Sequence, residues 1–193
     1  MADGTLKVGT ITTSSGSGTI TVGQSGETIS IPSGATFNTT GATVSGAGAN
    51  TPAFTVYGSG SNQSISSGVN TKVEFDTTLF DTNSGWDGTN YKWTVPAGEG
   101  GKYALSVMVT AYSASNNISN FGLKIRLNGS GDNLIANQQN NMAWRYVAST
   151  ISLVYTFSAG DYLQVYGDVA ATSPFFRRDG QSMWFSGHKL IGV

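Results

Sequence analysis

Two stretches contain the side chains best suited to binding chemistry. The first is TSPFFRRDGQ, residues 172–181, where two phenylalanines stand beside two arginines. The second is NQQNNMAWR, residues 137–145, which is rich in amides. Amides hydrogen-bond to hydroxyls, aromatic rings offer flat surfaces to sugar rings, and arginine binds acidic groups. The residues predicted to bind a receptor or glycan are Asn137, Gln138, Gln139, Asn140, Asn141, Trp144, Arg145, Phe175, Phe176, Arg177 and Arg178.

A structural role is the alternative for the same residues. Phe175 and Phe176 would then pack beneath their loop or between subunits, and Arg177 or Arg178 would pair with Asp179 or another acid. The amide-rich stretch would be a solvated loop. The sequence leaves both interpretations open.

Catalytic and metal-binding patterns are weak. His188 is the only histidine, and 11 acidic residues show no telling interval. The loop DTNSGWDG, residues 81–88, places Asp81, Asn83 and Asp87 at alternate positions, but it lacks the glycine and glutamate of a calcium loop. We therefore predict no catalytic residue, no metal and no cofactor. A carboxylate pair joined from different strands or subunits, as in polysaccharide-degrading enzymes, stays an alternative.

Composition indicates a turn-rich all-β protein. Only 11% of the 193 residues are charged, 26 are glycines, and there is no cysteine. A net charge of -1 without a basic cluster argues against nucleic acid as a partner. No apolar run is long enough for membrane insertion, and the start MADGTLKVGT lacks the features of a secretory signal. We therefore expect synthesis in the cytoplasm.

The first 50 residues repeat a short pattern in which a threonine precedes an apolar residue. The copies are Gly4-Thr5-Leu6, Gly9-Thr10-Ile11, Gly18-Thr19-Ile20, Glu27-Thr28-Ile29, Ala35-Thr36-Phe37 and Ala42-Thr43-Val44. From the second copy onward they lie nine, nine, eight and seven residues apart. One or two apolar side chains per repeat cannot offset the cost of ordering the backbone, about 1–2 kcal/mol per residue. Residues 1–50 are therefore either a disordered linker or a thin trimeric shaft of very short strands and turns, in which Ile20, Ile29, Ile31, Phe37 and Val44 of three chains meet. Recurring β-branched residues favour the shaft.

Residues 51–193 show the period of two that is typical of β-strands. The predicted strands are 54–57, 73–79, 91–95, 103–112, 121–127, 146–157, 162–169 and 183–191. About eight antiparallel strands without a helix predict a jelly roll or another sandwich of two sheets. Some strands are apolar on both faces, which implies a neighbouring subunit unless these are ordinary surface aromatics. The predicted interface residues in this part are Met108, Tyr112, Tyr162 and Tyr166, beside Ile20, Ile29, Phe37 and Val44 in the first part.

Antiparallel connections alternate between the two ends of a sandwich. Counting from a first strand that follows the shaft places four connections at the free tip. They are residues 58–70, 96–101, 137–145 and 171–182. Both binding stretches fall in this group.

A family resemblance follows from VNTKVEFDTTLFDTNSGWDGTNYKWTVPAGEGGKYALSVMV. This run resembles the first half of the globular head of complement component one-q, with Val73-Glu74-Phe75-Asp76, Tyr91, Trp93, Val95-Pro96 and Gly101-Lys102-Tyr103 at the matching places. Leu127-Asn128-Gly129, Ala159-Gly160-Asp161 and Phe185-Ser186-Gly187 resemble its later motifs. The resemblance covers about residues 52–193 and implies a jelly roll of the tumour-necrosis-factor (TNF) type, assembled as a homotrimer. No collagenous run precedes it, and residues 1–50 instead resemble the shaft of bacteriophage tail fibres.

The two halves together predict a non-enzymatic phage fibre in the virion. Residues 1–50 would be the shaft that attaches to other virion proteins, and residues 51–193 the head that binds a host-surface glycan or protein. One alternative is a structural decoration fibre without a receptor, and another is a tailspike that degrades polysaccharide.

Overall fold

The structure is a computed structural model that describes residues 9–11, 18–38, 50–115, 117–129, 134–141 and 143–190. The chain divides into two compact units, Met1–Ser45 and Gly46–Val193. All strands of the described residues lie in the second unit, the head, and no helix occurs among them. The strands are β1 (Ala53–Tyr57), β2 (Gln63–Ser64), β3 (Thr71–Lys72), β4 (Thr77–Asp81), β5 (Trp86–Asp87), β6 (Lys92–Thr94), β7 (Gly101–Tyr112), β8 (Asn120–Leu127), β9 (Leu134–Asn140), β10 (Tyr146–Phe157), β11 (Tyr162–Ala170), β12 (Phe175–Phe176) and β13 (Met183–Lys189).

Two antiparallel sheets form the head. The seven-stranded sheet runs β4-β1-β13-β7-β10, and the short strands β12 and β2 continue it beside the end of β7. The six-stranded sheet runs β5-β6-β11-β8-β9, with β3 also paired to β11. The all-β jelly roll predicted from the sequence is confirmed.

The core lies between the two sheets and follows from strict alternation along β7. Tyr103, Leu105, Val107 and Val109 are buried, whereas the residues between them are partly exposed. On the facing sheet, Phe121, Leu123 and Ile125 of β8 point inward in the same way. Period-two burial of this kind requires each sheet to have one face against the core.

The two ends of the head differ in what they contain. At the entry end, Ala53 pairs with His188, and the Lys189 N–H donates to the Pro52 carbonyl (2.9 Å), so the head begins and the described chain ends at the same place. At the far end, β1 ends at Tyr57 and β7 ends at Tyr112. The predicted tip connections 58–70 and 171–182 lie at the far end, as do Asn141 and residues 143–145 before β10.

One predicted tip connection lies at the wrong end. Residues 96–101 follow β6, which pairs with the start of β11, and the Val95 N–H donates to the Asp161 carbonyl (2.8 Å) at the entry end. The cause is the two-residue strand β5, which lies within the stretch predicted to be a loop. Its hairpin with β6 adds one reversal, and one extra reversal moves the next connection to the opposite end.

The predicted strand 73–79 is wrong as a single element. β3 belongs to the six-stranded sheet and β4 to the seven-stranded sheet, so the chain crosses between the sheets at residues 73–76. Val73 and Phe75 are buried during the crossing, whereas Leu79 is 67% exposed. Apolar and polar residues therefore alternate through residues 73–79 although this segment is not a single strand.

In the first unit, the described residues contain turns but no strand. Hydrogen bonds close turns from Gln24 to Glu27 and from Pro32 to Ala35, and Gly26 and Gly34 have φ angles of 88° and 86° within them. The predicted shaft residues Ile20, Ile29 and Phe37 are exposed, at 45%, 59% and 74%. Val44 lies outside the described residues. The apolar side chains of residues 18–38 are therefore not buried within this chain.

Gly167 of β11 tests how tightly the core is packed. A β-carbon there would lie 2.6 Å from Cζ of Phe176 and 3.3 Å from Cε2 of Phe121, both of which are buried. We expect Gly167→Ala to lower the free energy of unfolding by about 1–3 kcal/mol, because the rings must shift in a packed interior. Urea unfolding measures this. The matched control is Gly88→Ala, where the nearest atom is 3.6 Å away, and an equal loss in both variants would contradict the prediction.

Candidate functional site

Backbone hydrogen bonds fix the stretch of residues 172–181 at the far end. Phe175 and Phe176 pair with β7 on one side and with β2 on the other. The Arg177 N–H donates to the Thr110 carbonyl, and the Gly180 N–H donates to the Gly58 carbonyl, both at 2.9 Å. The stretch is therefore an extension of the seven-stranded sheet.

The two neighbouring phenylalanines point to opposite faces of that sheet. Phe176 is fully buried, with its ring 6.1 Å from the ring of Phe121. Phe175 is partly exposed and lies against Tyr112, with ring centroids 4.4 Å apart. The binding role predicted for Phe176 is thus wrong, because strand geometry sends it into the core. Phe175 stays available at the surface.

Phe175 belongs to a group that we call the aromatic–arginine cluster: Tyr112, Arg145, Tyr146, Phe175 and Arg177. The Tyr112 and Tyr146 rings are 4.5 Å apart. Arg145 donates from both Nε and Nη2 to the Tyr112 hydroxyl and lies 5.0 Å from the centre of that ring. Arg177 lies 5.5 Å from the centre of the Tyr146 ring. The hydrogen bonds to Tyr112 raise the pKa of Arg145, so its guanidinium is charged at any physiological pH.

A cavity of about 310 Å³ opens beside the cluster. Its lining comprises Asn62, Tyr112, Tyr146, Phe175 and Arg177. Three of these residues are aromatic, and the Asn62 amide and the Arg177 guanidinium add polar groups. Rings together with a few convergent polar groups are the usual composition of a small-ligand site.

Arg178 has a structural role. Its side chain is only 13% exposed and pairs with Glu74 (Nη1 to Oε2, 3.5 Å) and with Asp76. Its backbone N–H donates to Oδ1 of Asn62 (3.0 Å). The pairing with an acidic neighbour that the sequence left open for Arg178 is thus present, and its contact with a receptor stays a prediction.

Asp179 holds the turn that follows the arginines. Burial alone would raise its pKa, but hydrogen bonds from Ser182 and from the Gln181 backbone, together with the Arg177 charge, bring the pKa below its ordinary value. Its Oδ1 accepts from the backbone N–H groups of Gln181 (3.1 Å) and Ser182 (2.7 Å). Arg177 Nε contacts its Oδ2 at 2.8 Å.

The amide-rich stretch is a strand rather than a loop up to Asn140. β9 pairs with β8, with Asn140 opposite Phe121 and Asn137 opposite Lys124. Asn137 and Gln139 are exposed, whereas Gln138 and Asn140 are partly buried, so the four amides divide between two faces. Five polar residues in a row gave no apolar alternation from which to predict this strand. Asn141 is exposed just beyond it.

Trp144 lies at the far end with its side chain 60% exposed. Its carbonyl accepts from the N–H of the buried Ile118 (3.1 Å), so its backbone is fixed while the indole faces solvent. An exposed indole on a fixed backbone fits the predicted binding role, which stays a prediction.

The four interface candidates of the head divide between two surfaces. Met108 and Tyr112 lie on the outer face of the seven-stranded sheet. Tyr162 and Tyr166 belong to the six-stranded sheet, where Lys92 Nζ lies 4.9 Å from the Tyr162 ring and Arg126 lies 4.5 Å from the Tyr166 ring. These cations cover the two rings within the chain, so their partial burial does not require a neighbouring subunit. Their place in an interface stays a prediction.

A second cavity, of about 630 Å³, lies at the entry end. Its lining includes Ser84, Trp86, Asp87, Lys92 and Pro96. The Asp87 carboxylate, one of the three Asp and Asn side chains of the DTNSGWDG loop, accepts hydrogen bonds from Thr89 and Asn90 (2.7 to 3.0 Å) and so stabilises the β5–β6 turn. These bonds, chiefly the one from the Asn90 side chain, lower the pKa of Asp87. Within the part of the chain that the structure describes, no group of three or more His, Cys, Asp or Glu is placed to hold a metal.

Comparison with known proteins supports the fold through solved structures. The chain in the crystal structure of murine APRIL at pH 5.0 is 14% identical, with a TM-score of 0.55 over 72% of this chain and 98% of that chain. The globular domain of zebrafish complement 1qA protein is 15% identical, with a TM-score of 0.52 over 72% and 97% of the two chains. Eiger TNF from S. frugiperda is 11% identical, with a TM-score of 0.54 over 73% and 93%. No family model and no curated protein matches the sequence.

These similarities show that the head has the jelly-roll fold of TNF-type and complement one-q-type domains. Two members of the candidate site, Asn62 and Tyr146, were not predicted as site residues. Asn62 lies in a Gly- and Ser-rich connection without any distinguishing pattern, and Tyr146 is the first residue of a strand. Only the pairing of β10 with β7 places Tyr146 beside Tyr112.

The different roles of the two arginines predict different costs of substitution. We expect Arg178→Met to lower the free energy of unfolding by about 1–3 kcal/mol, because it removes charged hydrogen bonds to Glu74 and Asp76. The control Arg177→Met removes a surface pair that is about 40% exposed, for which we expect less than about 1 kcal/mol. Thermal and urea unfolding of both variants give the comparison. A larger loss in Arg177→Met would mean that the roles are assigned the wrong way round.

Proposed function

We propose that this chain is a homotrimeric phage fibre protein in which residues 1–50 form the shaft and residues 51–193 form a host-binding head. The main supporting observation is the position of the aromatic–arginine cluster. It lies at the far end of the head, opposite the entry end where Pro52 begins the jelly roll. A receptor that meets the head at its far end would contact this cluster and Trp144.

The proposed trimer is supported by the outer face of the seven-stranded sheet. Cross-strand pairing groups Met108 with Thr150 and Trp184, Ser106 with Ser152 and Ser186, and Trp184 with Tyr57. None of these side chains is an Asp, Glu, Lys or Arg. Beside them, Leu79 and Val154 are 67% and 58% exposed. A wide uncharged face with exposed large apolar residues is typical of a surface that is covered by another subunit.

The first unit gives independent support for assembly. Ile20, Val22, Ile29, Ile31 and Phe37 are all exposed within one chain. Burying each of them against neighbouring chains is worth about 1.5–3 kcal/mol. Three chains wound together would bury these residues, and the attachment to other virion proteins is assigned to this unit.

The rival proposal is a decoration fibre that binds no receptor. It shares the trimer and the fold, so only binding separates the two. We favour binding because the far end presents an exposed indole, the exposed Arg145, the partly exposed Arg177 and a cavity lined by aromatic rings. The tailspike alternative requires hydrolysis of host polysaccharide, which a reducing-end assay would detect. We propose no enzymatic activity.

The oligomeric state is tested with a charge placed on the uncharged face. Native mass spectrometry of the full chain should give three times 20.1 kDa. Thr150 is exposed opposite Met108, so Thr150→Arg should leave each subunit folded but place three charges in the interface and shift the mass to one chain. Gln139→Arg, at an exposed position of the other sheet, is the control and should stay trimeric. A wild-type chain that is monomeric at micromolar concentration would refute the trimer.

Host binding is tested with the exposed indole at the far end. We expect the labelled full chain to bind some strains in a panel of bacteria, and Trp144→Ala to lower that binding at least about tenfold. Leu134→Ala is the control, because Leu134 is also exposed (42%) but starts β9 near the entry end. Flow cytometry gives the measurement. Absence of binding to every strain would favour the decoration fibre.

A further inference from the structure

The donor groups around the far-end cavity restrict the ligand that it can hold. Oδ1 of Asn62 accepts the Arg178 N–H (3.0 Å), which fixes the amide and leaves both N–H groups of its NH₂ as donors beside the cavity. Arg177 uses Nε for Asp179 and has its two terminal nitrogens left. Both side chains therefore offer N–H donors to the cavity. These donors favour a ligand that brings acceptors.

The positive charges beside the far-end cavity are only partly neutralised by acidic residues. Arg177 has Asp179 as its partner, but Arg145 makes no ion pair within the described part of the chain. Arg145 instead donates to the Tyr112 hydroxyl, beside the cavity that Tyr112 lines. That contact holds the guanidinium in place and leaves it a net positive charge. An oriented cation without a partner favours an anionic ligand.

The rest of the lining is aromatic. Tyr146 and Phe175 flank Tyr112 at ring-centre distances of 4.5 and 4.4 Å. Ring faces of this kind pack against the C–H groups of a sugar. A volume of about 310 Å³ is at the lower limit for ligand sites and fits one sugar ring rather than a chain of them.

We propose that the cavity binds a carboxylate-bearing sugar unit of a surface glycan. The planar carboxylate would pair with the two terminal nitrogens of Arg177 in the cavity lining, and the positive charge of Arg145 beside the cavity would add to the attraction. The sugar ring would pack on Tyr146 and Phe175, and the Asn62 amide would donate to a ring hydroxyl. This inference rests on the proposed host-binding function and names the ligand class for the same site.

The direct test measures binding of the full chain to immobilised acidic oligosaccharides by biolayer interferometry. The probes are oligomers that contain glucuronate, galacturonate or N-acetylneuraminate, each compared with its methyl ester, which keeps the ring and removes the charge. We expect at least one acid to bind and its ester to bind at least about tenfold more weakly. Equal binding of acid and ester, or no binding of any acid, would overturn the proposal.

Matched variants identify the residues involved. Arg145→Gln should lower binding of the acid at least about tenfold and leave binding of the ester unchanged. Lys102→Gln removes the same charge from the exposed start of β7, at the entry end, and should have no effect. Tyr112→Phe keeps the ring stack but removes the hydroxyl that orients Arg145. As a positioning residue, it should reduce the ratio of acid to ester binding without a change in the unfolding midpoint. An unchanged ratio in both Arg145→Gln and Tyr112→Phe would overturn the assignment.

Two further arms separate the possible failures. Competition by free glucuronate but not by glucose 6-phosphate supports a carboxylate, and the reverse result overturns it in favour of a phosphorylated sugar. Cell binding of the wild type that Arg145→Gln does not change would overturn the acidic-sugar inference but leave the host-binding function standing. Binding of acidic sugars without binding to any bacterium would support the site and count against the host-binding function.

Discussion

The structure of the head depends on one strand, β7, being paired on both sides while it alternates strictly between two environments. β10 pairs with it along its whole length, and β13 pairs with its central part on the other side. Tyr103 and Val107 therefore face the core, while Met108 and Tyr112 face outward. A shift of one residue would exchange the two sets, exposing the core residues and burying the ring on which Arg145 lies. The core, the uncharged face and the far-end site thus share a single register.

Side chains in the stretch of residues 172–181 also alternate between the core and the outer face of the sheet. Successive side chains have opposite tasks: Phe176 completes the core against Phe121, and Phe175 extends the outer face beside Tyr112. Arg178 is held by two carboxylates, whereas Arg177 lies at the surface over Tyr146. The stretch looks like one exposed patch in the sequence, but two of its four bulky side chains, Phe176 and Arg178, make structural contacts. These contacts fix the positions of Phe175 and Arg177 at the surface.

The far-end cluster lies where the uncharged face meets the tip loops. Tyr112 and Tyr146 are the last outward residues of β7 and β10 at that end, so they continue the face proposed to join three subunits. In such a trimer the three clusters would lie at the margin of the shared interface. Each cluster would bind one sugar weakly, and three linked sites that bind the same surface together would give a higher overall avidity. The low sequence identity to APRIL and complement 1qA, 14% and 15%, is consistent with a shared backbone fold that carries different surface groups.

The sequence by itself determined the all-β class, the period-two strands that became β7, β8 and β11, and the two stretches that contain the candidate binding side chains. Each of these follows from period-two alternation or from local turn chemistry, which neighbouring residues are enough to define. It did not determine that Asn137 to Asn140 form a strand, that β5 reverses the chain once more, or that Lys92 and Arg126 cover Tyr162 and Tyr166. It also did not bring Asn62 to Arg178, 116 residues away, or Tyr112 to Arg145, 33 residues away. Only the tertiary structure decided these contacts, because cross-strand partners depend on the register of distant segments and local patterns contain no information about that register.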